Sequence, residues 1–156
     1  MTTTHAPLLR AEAQERAELI SVDAVWVDLD LDVGDTTFES RTRIEFTCRQ
    51  PGGSTWVDFR PETAHELVLN GVPLDPACAA KGAGRIPLEN LQEHNVLEAR
   101  GTMRFSRDGQ GLHRAVDPAD DEVYVYGHLF LDAAPTVFAC FDQPDLKARY
   151  RITVTA

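Results

Sequence analysis

Val25-Trp26-Val27-Asp28-Leu29-Asp30-Leu31-Asp32-Val33 decides the fold class. Aliphatic residues occupy every odd position and Trp or Asp every even one. Side chains alternate across a strand, so this is a half-buried β-strand with a charged outer face. Gly34-Asp35 reads as a turn. The following segment sets Phe38, Thr42, Ile44 and Phe46 on one face and Glu39, Arg41, Arg43 and Glu45 on the other. Pairing the two strands is expected to place Arg41 and Arg43 opposite the aspartates, a cross-strand charge ladder on a solvated face.

Working outward, Thr55 to Phe59 is a short strand. Glu66 to Leu74 is a hairpin closed by Asn70-Gly71, the pair that a type I′ turn favours. Arg85 to Leu88, Asn95 to Arg100, Thr102 to Ser106, Glu122 to Leu131 and Arg149 to Thr155 read as further strands. Asp75 to Gly84 and Asp108 to Asp121 read as irregular. Helical spacing appears once, at Leu9 to Ile20, where Leu9, Ala13, Ala17 and Ile20 recur in an Ala/Glu/Arg-rich run. The expectation is one domain over 1–156, mostly antiparallel β, with a lead-in helix at 9–20 and a flexible start at 1–8.

The 156 residues carry 25 acidic and 15 basic side chains, a formal charge of −10. Lys81 and Lys147 are the only lysines. Such a surface repels phosphate polyanions, so nucleic acid and anionic membranes are not expected as partners. Cys48, Cys78 and Cys140 are odd in number and widely spaced, and no leader-like or membrane-spanning run is present. A reduced, cytoplasmic protein is expected.

Few motifs carry chemistry. His65-Glu66 begins like H-E-x-x-H, but Leu69 stands where the second histidine belongs and the segment reads as a strand. Gly109-Gln-Gly111 lacks the context of a phosphate loop and reads as a turn. Neither a metal nor a cofactor is expected. Cys140, between Ala139 and Phe141, reads as core. In the strand at 123–131, Val123, Val125, Gly127, Leu129 and Leu131 form an expected core face. Tyr124, Tyr126, His128 and Phe130 line up on the other face. That aromatic stripe is either a second buried face, a dimer contact, or a pocket wall with His128 placed for proton transfer. In Val137 to Ala148, the polar Asp142, Gln143 and Asp145 around Pro144 suggest a turn with side chain to backbone hydrogen bonds.

Gly111-Leu-His-Arg-Ala-Val-Asp-Pro118, Val123-Tyr-Val-Tyr126 and Val137-Phe-Ala-Cys-Phe-Asp-Gln-Pro-Asp-Leu-Lys-Ala148 resemble the N-terminal domain of the zinc aminopeptidase N family. The resemblance spans essentially the whole chain and implies a saddle-like, mostly antiparallel β-sheet or sandwich. In full-length relatives this domain precedes a thermolysin-like catalytic domain with G-A-M-E-N and H-E-x-x-H motifs. Neither motif occurs in these 156 residues. The family's N-terminal domain lends one strand to the active site, where a Gln-x-Glu pair holds the substrate's free amine. Counting back from Val137, those positions fall on His128 and Phe130.

The substitution of that pair suggests a repurposed, metal-independent enzyme acting on an apolar or neutral biosynthetic intermediate of specialised metabolism. His128 would move the proton, with Tyr124 and Tyr126 as hydrogen-bond donors. Phe130, Asp142, Gln143 and His113 would contact substrate. Dehydration, isomerisation or cyclisation by conjugate addition is the expected lyase- or cyclase-type chemistry. The alternatives are a non-catalytic binding module, a homodimer through the face normally covered by the catalytic domain, or an excised fragment of a zinc aminopeptidase.

Overall fold

The computed structural model describes residues 7–81, 84–130 and 132–156. Most of the expected flexible start and Leu131 of the expected core face lie outside the described residues. The chain opens with helix α1 (Arg10–Leu19) and passes without a loop into β1 (Ile20–Asp30). Glu12 accepts the Leu9 N–H (2.9 Å) and secures the first turn. At the other end Arg49 Nη1 donates to the carbonyls of Ala17, Glu18 and Ile20 at 2.9–3.0 Å. A side-chain cation from much further along the chain thus satisfies the last helical carbonyls, in the absence of a capping glycine.

β1 and β2 (Thr37–Cys48) pair antiparallel over almost their full length. They belong to a six-stranded sheet that continues through β7 (His94–Arg104), β4 (Thr63–Leu69) and β5 (Val72–Pro73). The final strand, β10 (Arg149–Thr155), lies on the far side of β1 and pairs with it in parallel. That is the exception in an otherwise antiparallel sheet. β3 (Thr55–Asp58) and β6 (Arg85–Leu88) form a second, two-stranded sheet. β8 (Gly111–Val116) and β9 (Val123–His128) form a third. Val25, Val27, Phe38, Ile44, Phe46, Leu97 and Met103 of the large sheet share one buried cluster with Val57, Phe59, Ile86, Leu88 and the segment 137–141. Within it the Phe46 and Phe141 rings meet edge-on, 5.2 Å apart.

The mostly antiparallel β architecture with one substantial helix is as expected; several elements differ in detail. β1 starts five residues before the alternating run, and a bulge between Val22 and Ala24 buries both Ala24 and Val25. Val33 falls beyond it and is exposed. Asp28 faces Arg41 as expected, but Asp30 faces Glu39 and Trp26 faces Arg43. Arg43 bonds Glu45 (2.8 Å) and Glu98 (3.4 Å) instead. The hairpin turn is confirmed, with Asn70 and Gly71 at φ 53° and 79°. A short helix, α2 (Ala77–Lys81), occupies part of the expected 75–84 loop.

The two strands expected at 95–106 are one strand, β7. Gly101 interrupts the hydrophobic pattern without breaking the strand, because it lies where neighbouring chain passes closest. A Cβ there would lie 2.9 Å from both Pro61 Cβ and the Thr63 carbonyl oxygen. The expected irregular stretch at 108–121 contains β8, whose polar His113 and Arg114 hide the alternation. β9 ends at His128, so Phe130 lies past the strand. Its aliphatic face is core only in part: Leu129, just past the strand, packs against the buried cluster, whereas Val123 and Val125 are exposed. No described helix is long and apolar enough to cross a membrane.

Candidate functional site

The β8–β9 ribbon carries most of the expected site residues. Its register places Gly111 opposite His128, His113 opposite Tyr126 and Ala115 opposite Tyr124. His113, Tyr124, Tyr126 and His128 therefore share one face. The His113 and Tyr126 rings lie 4.8 Å apart with planes 31° from parallel. His113 Nδ1 accepts the Gly109 N–H at 3.0 Å, which assigns that nitrogen as the unprotonated one. Tyr124 donates its hydroxyl to Asp120 at 2.9 Å. The Glu122 N–H, and then that hydroxyl, hold the Asp120 carboxyl below its ordinary range. His128 is exposed, and Phe130, 68% exposed, stands on the turn after the strand.

The opposite face of the ribbon looks into a cleft of about 740 Å³. Leu112, Val123 and Val125 line it from the ribbon, and Leu29, Leu31 and Val154 from the ends of β1 and β10. Arg114 stands in its wall, bonded to Asp35 at 2.7 Å. The apolar concavity is thus on the aliphatic side. Tyr126 touches its wall, whereas Tyr124 and His128 face away from it.

Asp142 and Gln143 belong to a different cluster, centred on Arg16 of α1. Gln143 is buried, and both ends of its amide are used within the chain. Its Oε1 accepts from Arg16 Nε at 2.8 Å, and its Nε2 donates to the Ala13 carbonyl at 2.8 Å. Arg16 Nη1 also bonds Asp58 Oδ2 at 3.2 Å, with both side chains almost fully buried. The guanidinium stacks 4.3 Å from the centre of the Trp56 ring. Burial draws Arg16 below its ordinary value, and Asp58 opposes that. Asp142 donates its N–H to Asp58 (3.1 Å) and accepts the Asp132 N–H (3.0 Å). Its carboxyl is pushed up, first by burial and then by the Asp58 charge. This cluster fixes α1 to the turn at 142–146, and so gives the polar turn residues a structural task.

Burial pushes the Cys140 thiol well up, which suits a core residue and not a nucleophile. Among the described residues no group of three or more His, Cys, Asp or Glu side chains is placed to hold a metal. Arg16, Asp58, Arg114 and Asp35 were not singled out by sequence. Arg16 sits in a polar helix and its partners lie 42 and 127 residues away, so no local pattern marks it.

Over 152 residues the chain is 40% identical to aminopeptidase N of Streptomyces lividans. It is a homologue of that family's N-terminal domain. The match covers 96% of this chain but only 18% of the Streptomyces aminopeptidase N. The fold of this aminopeptidase N-like domain also matches native leukotriene A4 hydrolase from Saccharomyces cerevisiae. There the TM-score is 0.68 at 13% identity, over 94% of this chain and 27% of the hydrolase. The yeast hydrolase in complex with bestatin gives the same values. At that identity the likeness is one of fold. No family model matches the chain.

Proposed function

We propose that this domain forms the substrate-facing wall of a two-part site whose other part is a catalytic unit of the aminopeptidase type. The observation that carries this is the ribbon itself. β9 is exposed along its whole length, its Tyr-Tyr-His face is open, and Phe130 projects beyond it. An aromatic surface of that kind normally meets a partner or a ligand. Proton-transfer chemistry, by contrast, works best in a site that excludes water, and His128 stands outside the apolar cleft behind the ribbon.

Where the family holds a substrate amine with Gln-x-Glu, His128 and Phe130 offer no carboxylate. The wall therefore suits a neutral or apolar substrate end. A chimera tests this: the matching region of Streptomyces lividans aminopeptidase N is replaced by this chain, with and without the double change His128→Gln, Phe130→Glu. The restored pair is expected to lower KM for free-amine substrates by about 10–100-fold, with a smaller change in kcat. Equal KM values for the two chimeras would remove the ribbon from the substrate.

A second reading, a stand-alone acid–base catalyst of specialised metabolism in a reducing cytoplasm, is favoured by the His113–Tyr126 pair beside His128. Under it, a strain lacking the gene accumulates an apolar intermediate. His128→Ala then slows conversion of that compound by about 10²–10⁴-fold. Full turnover by that variant would exclude His128 from the chemistry.

A further inference from the structure

Asn70-Gly71 closes the β4–β5 hairpin, and the same two residues form a chemically labile link. Glycine has no β-carbon, so its amide nitrogen can reach the side-chain carbonyl carbon of a preceding asparagine. Asn70 alone among the chain's three asparagines precedes glycine; Asn90 precedes Leu91 and Asn95 precedes Val96. Gly71 is exposed, and a Cβ placed on it would meet nothing within 4 Å, so solvent reaches the link freely. What restrains the reaction is the fold around the Asn70 amide. Its Oδ1 accepts the Val96 N–H at 2.8 Å, and its Nδ2 donates to Asn95 Oδ1 at 2.9 Å. The Asn70 N–H donates to the Val96 carbonyl at 2.8 Å and ties the backbone to the same strand. Asn95 is 2% exposed and is itself fixed. Its Oδ1 accepts the Gln92 N–H at 2.9 Å, and its Nδ2 donates to the Gln92 carbonyl at 2.7 Å. The Asn70 amide must let go of both partners before the Gly71 nitrogen can reach its carbon.

We propose that Asn70 is a deamidation site whose rate is set by Asn95, and that the product loosens the hairpin. The Gly71 nitrogen gives its proton to solvent and bonds to Asn70 Cγ. The Cγ–Nδ2 bond breaks, and Nδ2 leaves as ammonia. Water then opens the succinimide ring to aspartate or isoaspartate. The step needs no enzyme, oxidant or cofactor. The product does not fit where the reactant sat. A carboxylate at position 70 still accepts the Val96 N–H, but its second oxygen faces Asn95 Oδ1, acceptor against acceptor. Asn95 cannot turn its Nδ2 toward that oxygen without losing both bonds to Gln92. The isoaspartyl product also adds a carbon to the backbone of a turn that sets the β4–β5 register. β5 has only two residues with which to resist that change. This site is separate from the β8–β9 aromatic face and independent of the function proposed for it.

Incubating the intact chain at mildly alkaline pH and mapping its peptides reads the change as a mass gain on the peptide that holds Asn70. Asp108-Gly109 can close the same ring, but without a mass gain, so the two are told apart. Asn70 is expected to convert before Asn90 and Asn95, about 3–10-fold faster in Asn95→Ala than in wild type, and faster again in denaturant. Arg16→Met, which breaks the buried pair beneath α1 and leaves the hairpin alone, is expected to convert at the wild-type rate while folded. Asn70→Asp is expected to quicken hydrogen exchange at the Leu74 amide, which donates to the Leu67 carbonyl, and to leave the β1–β2 amides unchanged. Equal rates in wild type and Asn95→Ala would overturn the proposal, as would Arg16→Met converting as fast as Asn95→Ala. Should Asn95→Ala not fold, equal rates for the native and denatured wild-type chain would overturn the guarding role in its place. An Asn70 that stays intact in denaturant, or an Asn70→Asp chain with wild-type exchange at Leu74, would also overturn it.

Discussion

Arg16 holds α1 to the body of the fold through buried polar contacts. Its guanidinium bonds Asp58 and Gln143, stacks on Trp56, and is almost wholly out of water. Arg16→Met keeps the packing and the helix propensity but leaves the Asp58 carboxylate buried without its cation. Breaking a buried pair in that way costs about 3–5 kcal/mol. Denaturant titration should show this loss, and Asp58→Asn added to Arg16→Met should recover part of it. Asp142 gives a pH signature. Its folded carboxyl binds the proton more tightly than the unfolded one, because burial and Asp58 both disfavour the charge. Stability from this group is therefore lost as pH rises from the ordinary carboxylate range through the raised folded value. Asp142→Asn keeps an oxygen to accept the Asp132 N–H and removes the charge. The variant is expected to melt above wild type at neutral pH, and the gap should close on acidification. Equal melting curves at all pH values would refute this account. The sequence marked Asp142, Gln143 and Asp145 as a polar turn, but not the arginine 127 residues earlier that Gln143 holds. Pairing across that separation leaves no periodic trace.

At the scale of elements, β1 and β2 were legible because a two-residue period survives wherever one face is buried and the other is wet. β7 and β8 were not, for opposite reasons. In β7 a glycine appears as a break, though the chain needs it for close approach of Pro61 and Thr63. Gly101→Ala should cost about 1–3 kcal/mol by overpacking, measured as a shift in unfolding midpoint. A neutral substitution would mean that the crossing relaxes freely. In β8 both faces carry polar residues, so no periodic signal exists. β8 is revealed by its hairpin pairing with β9, which no periodicity announces. The resemblance to aminopeptidase N drew attention to His128 and Phe130. Only the backbone revealed that the strand ends between them and that the concavity lies behind the aromatic face.

For the molecule as a whole, burial orders its three thiols. Cys48 and Cys140 are in the core, and Cys78 is partly exposed. A disulfide reagent added to the native protein should modify Cys78 quickly. The other two should react only at the rate of global unfolding, or at once in denaturant. Rapid reaction of all three would mean that the core opens easily.

The parallel β1–β10 pair sets a schedule for biosynthesis. Ala24 and its partner Arg149 are about 125 residues apart in the chain, and ribosomes add roughly 5–20 residues per second. After β1 emerges, one of its sides waits for several seconds while the rest of the sheet is made. During that interval the strand at the centre of the buried cluster has β2 on one flank and open water on the other. The nascent polypeptide is most vulnerable to wrong pairing then, and a chaperone that shields extended apolar segments would have its largest effect on yield in that interval.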